Sequence, residues 1–233
     1  MRPRFLGRLG AADIVTVCNG AIGFIAAALA VGDPQLAARL ILLAAVGDGL
    51  DGVVARQFGS SSVGSNLDSL SDVAAFGVAP ALVIHSVGRQ AWGIDPLALT
   101  PMSIIGLLVP AAFLGMVVIR LGFYTAHQTD APETIGVPST LAATILATAV
   151  ILEVFAPAIL VGATALFTYL MIADITYPDL LARDSLLMGI VHGLAVVVPR
   201  AFGRAFPYAL LTLALAYLTL GPRFYWRSEG KRS

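Results

Sequence analysis

The sequence predicts an all-α integral membrane protein, a polytopic bundle of about eight transmembrane helices. Apolar residues make up 58% of the 233 positions, and only 12% are charged, which is about half the charged share of an ordinary soluble domain. The mean hydropathy is +0.88. The apolar residues also fall in runs close to the 20 or so residues that a spanning helix needs.

Eight apolar segments are candidate spans, and turn-forming residues separate them. The segments are 13–32, 36–56, 68–87, 102–124, 139–155, 158–175, 185–199 and 205–221. Breaks such as Gly32-Asp33-Pro34 and Tyr177-Pro178-Asp179 are typical of turns. The two segments after Ile175 are shorter, and 185–199 is expected to be tilted or broken. The expected organisation is a single transmembrane domain over residues 1–233.

The first segment is interpreted as a retained span rather than as a cleaved signal peptide. Its apolar run of about nineteen residues is long for a signal, and Thr16 and Asn19 interrupt it. Short cytoplasmic loops of membrane proteins are rich in Lys and Arg. A cytoplasmic N-terminus puts ten basic residues on that side and four on the other. We therefore expect a multi-pass protein of the cell membrane with both termini in the cytoplasm.

Charge and cysteine content argue against several classes of protein. Fourteen basic and fourteen acidic residues give a net charge of zero, so no nucleic-acid partner is expected. The one cysteine, Cys18, lies in an apolar run. The sequence therefore predicts neither a disulfide framework nor a Cys-x-x-Cys metal pair.

Four acidic residues form two pairs on neighbouring spans. Asp48 and Asp51 are three positions apart, and Asp68 and Asp72 are four apart, so each pair lies on one face of its helix. Four carboxylates facing lipid would cost on the order of 10 kcal/mol, so we expect them to face the bundle interior. Because no matching set of Lys or Arg accompanies them, they predict a site for Mg²⁺, Mn²⁺ or Ca²⁺. The alternative is a polar loop whose acids are only solvated.

Two other interpretations of this region make specific demands. The stretch 47-GDGLDG-52 has the Gly-x-Gly-x-x-Gly spacing of a dinucleotide-binding turn, but that turn follows a strand, and residues 36–46 are predicted to be helical. A cation transporter would line a pathway with intramembrane acids, but it does not need them all at one end. The pattern favours a metal site over both.

The segment 48-DGLDGVVARQFGSSSVGSNLDSLSD-72 contains eight positions at defined spacings: Asp48, Asp51, Gly52, Ala55, Arg56, Gly64, Asp68 and Asp72. This pattern resembles the motif of the CDP-alcohol phosphotransferase family, membrane enzymes of phospholipid synthesis. Three further stretches are similar to its serine-using branch, the phosphatidylserine and archaetidylserine synthases: 68-DSLSDVAAFGVAPAL-82, Thr16-x-x-Asn19 with Gly23, and 135-IGVPSTLAA-143. At 120-RLGFYT-125 the chain keeps Arg120 but has Phe123 where the branch has a second arginine.

The resemblance implies transfer of a phosphatidyl or archaetidyl group from a CDP-lipid to the hydroxyl of L-serine, with release of CMP. It implies two ions, Mg²⁺ or Mn²⁺ with Ca²⁺ as a further occupant, held by Asp48, Asp51, Asp68 and Asp72, and it makes Asp72 the general base. The implied CDP-lipid-binding residues are Thr16, Asn19, Gly52, Ala55, Arg56 and Gly64. Arg120 is expected to bind the acceptor, and a homodimer is left open.

The acceptor and the lipid have alternatives. The same motif serves enzymes that use glycerol 3-phosphate or inositol phosphate, whose phosphate would need more basic residues than the Arg120 and Arg183 available around the later spans. That count favours serine. Thirteen Arg against one Lys leans toward CDP-archaeol rather than CDP-diacylglycerol.

Overall fold

Helices form nearly all of the structure, which is a computed structural model. It describes residues 9–58, 61–93, 100–126, 133–178 and 182–225. Within these ranges it does not describe the side chains of residues 52, 53, 56, 58, 133, 182 and 183. The helices are α1 (Ala11–Leu29), α2 (Pro34–Phe58), α3 (Gly64–Asp72), α4 (Ala79–Trp92), α5 (Pro101–Ala126), α6 (Ser139–Leu152), α7 (Pro157–Leu170), α8 (Ala182–Val197) and α9 (Ala205–Phe224). Two short strands are β1 (Glu133–Ile135) and β2 (Thr176–Pro178).

The prediction of an all-α fold is confirmed, since each of the eight predicted spans corresponds to one helical unit. The third unit is a single rod of 29 residues, Gly64–Trp92, which begins four positions before the predicted start. Helix α8 is continuous over Ala182–Val197, so of the two alternatives for segment 185–199 the break is excluded and the tilt stays a prediction. Four described units are long and apolar enough to cross a membrane: Ala11–Leu29, Gly64–Trp92, Pro101–Ala126 and Ala201–Phe224.

Helix α6 lies at the centre of the bundle. Thirteen of its fourteen residues are buried, and Thr140 in its first turn is the exception. A helix that is apolar on all sides is typical of a position surrounded by other helices, and α6 packs against α2, α7 and α9. The first turn of α6, which contains Thr140, is therefore held in place by the helices that surround α6.

A π-helical turn, Val73–Val78, joins α3 to α4 directly after Asp72. The N–H of Ala79 donates to the carbonyl of Ala74, five positions back, and Pro80 has no N–H with which to continue the α-helical pattern. The turn packs closely on α1, because a Cβ added to Gly23 would lie 2.7 Å from the Ala75 Cα. Only glycine permits this approach.

The helices alternate in direction, so their ends gather at two poles. At the far pole, Gln35 and Arg204 both donate hydrogen bonds to the Glu153 carboxylate, which joins the ends of α2, α6 and α9. The Arg39 Nε also donates to the Val196 carbonyl, at 2.8 Å, and ties α2 to α8. The opposite end, which holds Asp48 and the two strands, is called the site pole below.

A two-stranded antiparallel ribbon, with Ile135 of β1 opposite Thr176 of β2, lies at the site pole. Burial raises the pKa of the Tyr177 phenol, and its hydroxyl donates to the Leu218 carbonyl of α9 at 3.1 Å. The sequence predicts only loops here, because three-residue strands are too short to show an alternating pattern.

Candidate metal and substrate site

Three of the four predicted acids converge between α2 and α3. Asp48, Asp68 and Asp72 each offer one carboxylate oxygen, and these oxygens all lie within 4.8 Å of one another. Asp72 is only 8% exposed, and its Oδ1 has no hydrogen-bond partner in the described part of the chain. A set of oxygen donors with like charge fits a hard divalent cation.

Asp51 lies beside this cluster, and the group of oxygens within 4.8 Å does not include it. It is buried, and its Oδ2 accepts a hydrogen bond from the Thr16 hydroxyl at 2.9 Å. The Ser71 hydroxyl donates to the Thr16 carbonyl at 2.7 Å. Thr16 therefore links α1 to both helices that carry the acids, and it holds the orientation of Asp51.

Asn19, one turn after Thr16 on α1, is buried next to the first glycine of 47-GDGLDG-52. A Cβ on Gly47 would lie 3.0 Å from the Asn19 Oδ1, an oxygen without a hydrogen-bond partner among the described residues. Burial of a carbonyl oxygen without a hydrogen-bond donor costs free energy. This oxygen is therefore suited to accept a hydrogen bond from a ligand. Residues 47–52 lie inside α2, which excludes the strand-turn-helix geometry of a dinucleotide turn.

Arg120 approaches the cluster from α5. It is 8% exposed and interacts electrostatically with Asp72. The guanidinium carbon lies 4.5 Å from the centre of the Tyr124 ring, and the Nε has no hydrogen-bond partner within the described ranges. One arginine beside three convergent carboxylates leaves the region negative, so it still fits the binding of cations.

The other predicted site residues lie along the motif. Ala55 is half-buried in α2. Gly64 begins α3, and its N–H donates to the Ser61 carbonyl at 3.0 Å. Gly52 and Arg56 belong to α2, but their surroundings fall outside the described side chains.

Two contacts at the site, one with the cluster and one beside it, were not predicted from the sequence. The Thr140 hydroxyl hydrogen-bonds to Asp48, and the Ser69 and Thr125 hydroxyls are hydrogen-bonded to each other between α3 and α5. Thr140 follows the loop Gly136-Val137-Pro138 and lies in the first helical turn of α6. A hydroxyl at such a position is the one feature of the sequence that could have indicated this contact. Ser69 and Thr125 are 56 positions apart in the chain, and no local sequence pattern predicts their contact.

Comparison with known proteins identifies the family. The family described as CDP-alcohol phosphatidyltransferase matches residues 9–176, a range that includes the cluster, Arg120 and Tyr124. The chain belongs to this family. As a CDP-alcohol phosphatidyltransferase family member it is an all-helical membrane protein, and the resemblance drawn from the motif is confirmed. Helices α8 and α9 lie beyond the matched range.

The relatives of this family member include serine-using enzymes. Archaetidylserine synthase of Methanothermobacter thermautotrophicus is 44% identical over 78 residues, which are 32% of this chain and 34% of that protein. The CDP-diacylglycerol–serine O-phosphatidyltransferase of Mycobacterium tuberculosis is 38% identical over 101 residues, 43% of this chain and 32% of the relative. The enzyme of that name from Bacillus subtilis is 32% identical over 133 residues, 56% and 68% of the two chains. The chain spans about a third of the length of the first two relatives.

Proposed function

We propose that this chain transfers the lipid-bearing phosphoryl group of a CDP-lipid to the hydroxyl of L-serine and releases CMP. The observation that carries the proposal is the convergence of Asp48, Asp68 and Asp72 within the family motif. The names of the relatives, archaetidylserine synthase and CDP-diacylglycerol–serine O-phosphatidyltransferase, support serine as the acceptor.

The acidic cluster would hold two ions, Mg²⁺ or Mn²⁺ with Ca²⁺ as a further occupant, and Asp51 would be the fourth carboxylate. Bound ions supply charge neutralisation at the diphosphate and at the leaving phosphate. The donor set fits them because every donor is a carboxylate oxygen and the Asp72 Oδ1 has no competing hydrogen-bond partner in the described chain. Thr16 and Thr140 orient Asp51 and Asp48.

Asp72 would act as the general base toward the serine hydroxyl. As the serine oxygen forms its bond to the lipid-bearing phosphorus, the proton moves to an Asp72 oxygen. The bond from that phosphorus to the bridging oxygen breaks, and CMP leaves with the electron pair. A base must come within about 2.6–3.2 Å of the hydroxyl that it deprotonates. Arg120 interacts with Asp72, so an arginine-bound serine carboxylate would bring the hydroxyl to the base.

The CDP-lipid would bind on the α1 and α2 side of the cluster. Asn19 would use its unpaired buried oxygen to accept a hydrogen bond from the nucleotide, and the glycines of the motif would leave room for it. The residues that we propose for this contact are Thr16, Asn19, Gly52, Ala55, Arg56 and Gly64. The hydrocarbon tails would lie between helices that face the bilayer.

We further propose that residues 1–233 form one transmembrane domain in the cell membrane, with both termini and the site pole in the cytoplasm. The even number of helical units supports termini on one side, and the excess of basic residues there supports the cytoplasm. A homodimer remains compatible with this arrangement.

The proposal is tested with membranes of a host that overexpresses the chain, beside membranes with an empty vector. They receive labelled L-serine, Mg²⁺ or Mn²⁺, and either CDP-archaeol or CDP-diacylglycerol. We expect metal-dependent label in lipid and one CMP per serine transferred, with the preferred CDP-lipid identifying the natural one. Incorporation of glycerol 3-phosphate or inositol phosphate without serine would overturn the acceptor. Transfer to none of the three would overturn the activity.

A further inference from the structure

We propose that Tyr124 is a positioning residue that fixes the Arg120 guanidinium for the anionic group of the acceptor. The inference rests on the proposed function, in which Arg120 binds the serine carboxylate. It assigns a role to a residue that belongs neither to the acidic cluster nor to the eight positions of the motif.

The Arg120 guanidinium lies over the Tyr124 ring. The distance of 4.5 Å from the guanidinium carbon to the ring centre is inside the range of about 6 Å for a cation–π contact. The Arg120 side chain also hydrogen-bonds to Tyr124. A guanidinium carries several N–H donors in one plane, so others remain for a carboxylate. The Arg120 Nε is buried and has no hydrogen-bond partner among the residues described.

Tyr124 is itself held by a rigid piece of backbone. Its hydroxyl donates to the Ile135 carbonyl at 3.0 Å and accepts a hydrogen bond from the Ile135 N–H. The next residue, Gly136, has φ +74°, and a Cβ there would lie 2.2 Å from the Met171 carbonyl oxygen. The Gly136 N–H donates to the Ile175 carbonyl at 2.8 Å. The hydroxyl is therefore anchored where the ribbon is fixed to the end of α7.

Core packing does not account for this arrangement. Tyr124 is 36% exposed, so the ring contributes less to the burial of apolar surface than a core aromatic residue does. Its two specific contacts are the arginine on one side and the ribbon on the other. A free arginine side chain loses considerable rotamer entropy when it binds a ligand, and its contacts with Tyr124 remove part of that loss in advance. The expected consequence is tighter binding of the acceptor, with the chemical step unchanged.

The test compares steady-state kinetics of Tyr124→Leu and Tyr124→Phe with the wild type, with L-serine and the CDP-lipid varied in turn. We expect Tyr124→Leu to raise the KM for L-serine about tenfold, with kcat within about twofold and the KM for the CDP-lipid unchanged. Tyr124→Phe keeps the ring and loses the anchor, so a rise of about threefold is expected. Tyr169→Leu is the control, because Tyr169 is an exposed tyrosine on α7, and its KM values should not change.

An unchanged KM for L-serine in both variants would overturn the inference. So would a fall in kcat alone, or a parallel rise in both KM values with a lower thermal midpoint, because these outcomes mark a structural role. If the leucine variant is not recovered in membranes, Tyr124→Phe decides. Failure of the proposed function is separate, since it appears in the wild type as no use of serine. The KM values of the variants are then compared for the acceptor that the wild type does use. A wild type that uses no acceptor overturns both the proposed function and the role of Tyr124.

Discussion

At the scale of single residues, Asp72 is the most constrained group of the site. It is buried, it lies with two other carboxylates within 4.8 Å, and one of its oxygens has no hydrogen-bond partner in the described structure. A buried carboxylate in such company is costly unless a cation or a proton offsets its charge. A carboxylate whose charge can be offset either by a cation or by a proton is suited both to hold metal and to accept a proton from the acceptor.

Replacement of Asp72 by Asn is expected to lower kcat by about a thousandfold or more. The amide has nearly the same shape, but it cannot accept the hydroxyl proton and adds no negative charge for metal. Serine incorporation in membranes measures the effect, with expression checked in the same membranes. Asp174→Asn, which changes an exposed acid outside the cluster, should keep wild-type activity. Activity of Asp72→Asn within tenfold of the wild type would remove Asp72 from the role of base.

Thr16→Val should raise the Mg²⁺ concentration needed for half-maximal activity about tenfold. The valine has a similar shape but no hydroxyl, so Asp51 loses the hydrogen bond of 2.9 Å that orients it. Loss of a partner that orients a metal ligand commonly costs ten- to a hundredfold in metal affinity or activity. Titration of activity with Mg²⁺ after chelation measures the shift.

Thr16→Ser is the matched control for this change, because it keeps the hydroxyl and should titrate with Mg²⁺ as the wild type does. If Thr16→Val and Thr16→Ser show the same metal dependence, the hydrogen bond from Thr16 to Asp51 does not contribute to binding of the ion.

At the scale of elements, the close contact between α1 and the π-helical turn fixes the spacing of the site. Gly23 lets α1 approach the backbone of Ala75. Asn19, one turn earlier, lies next to Gly47, and Thr16, two turns earlier, hydrogen-bonds to Asp51. Separation of α1 from the turn would withdraw both polar residues together.

Gly23→Ala is therefore expected to destabilise the protein by about 1–3 kcal/mol, the usual cost of overpacking. Its Cβ would lie 2.7 Å from backbone atoms, which cannot rotate away as a side chain can. The thermal midpoint of the detergent-solubilised protein measures the loss. Gly162→Ala in α7 is the control, because nothing lies within 4 Å of its added Cβ. Equal midpoints for the two variants would contradict the tight contact.

The part of the site that the sequence could predict is the part that depends on one helix at a time. The spacing of Asp48 and Asp51 and of Asp68 and Asp72 puts each pair on one face whatever the tertiary packing. The bonds of Tyr124 to Ile135 and of Thr140 to Asp48 join segments whose approach depends on the whole bundle. Hydrophobic periodicity carries no information on such pairs, so the structure was needed to find them.

At the scale of the whole molecule, the two poles have different chemistry. The far pole is closed by hydrogen bonds from Gln35 and Arg204 to Glu153. The site pole gathers the acidic cluster, Arg120 and the ribbon. The boundaries of all eight helical units could be predicted within a few residues because apolar length and turn residues decide them. The pairing of helix ends at each pole could not, since it depends on packing between distant segments.

Labelling of single cysteines should put the two poles on opposite sides of the membrane. In a Cys18→Ser background, Phe202→Cys, at a position 86% exposed near the far pole, should react with a membrane-impermeant maleimide in intact cells. Ser62→Cys, in the exposed turn before α3, should react only after the cells are opened. This result follows from the proposed cytoplasmic N-terminus together with the proposal that each of the eight helical units crosses the membrane once.

The reverse labelling pattern would invert the proposed orientation. Reaction of both cysteines in intact cells would mean that the two poles share one side, which the alternation of helix directions forbids. The cysteine-free Cys18→Ser protein provides the background signal against which both single-cysteine proteins are compared.

The π-helical turn after Asp72 has a consequence for alignments of this family. A residue inserted into an α-helix would advance the phase of every later residue by about 100°. A π-helical turn absorbs such a residue, so the helix faces before and after it keep their directions. A relative without the turn should be aligned with a one-residue gap inside 73–78, and not in a loop. Deletion of one residue there should convert the turn to ordinary α-helix and leave both the acids and the buried Val83 and Ile84 facing their present neighbours.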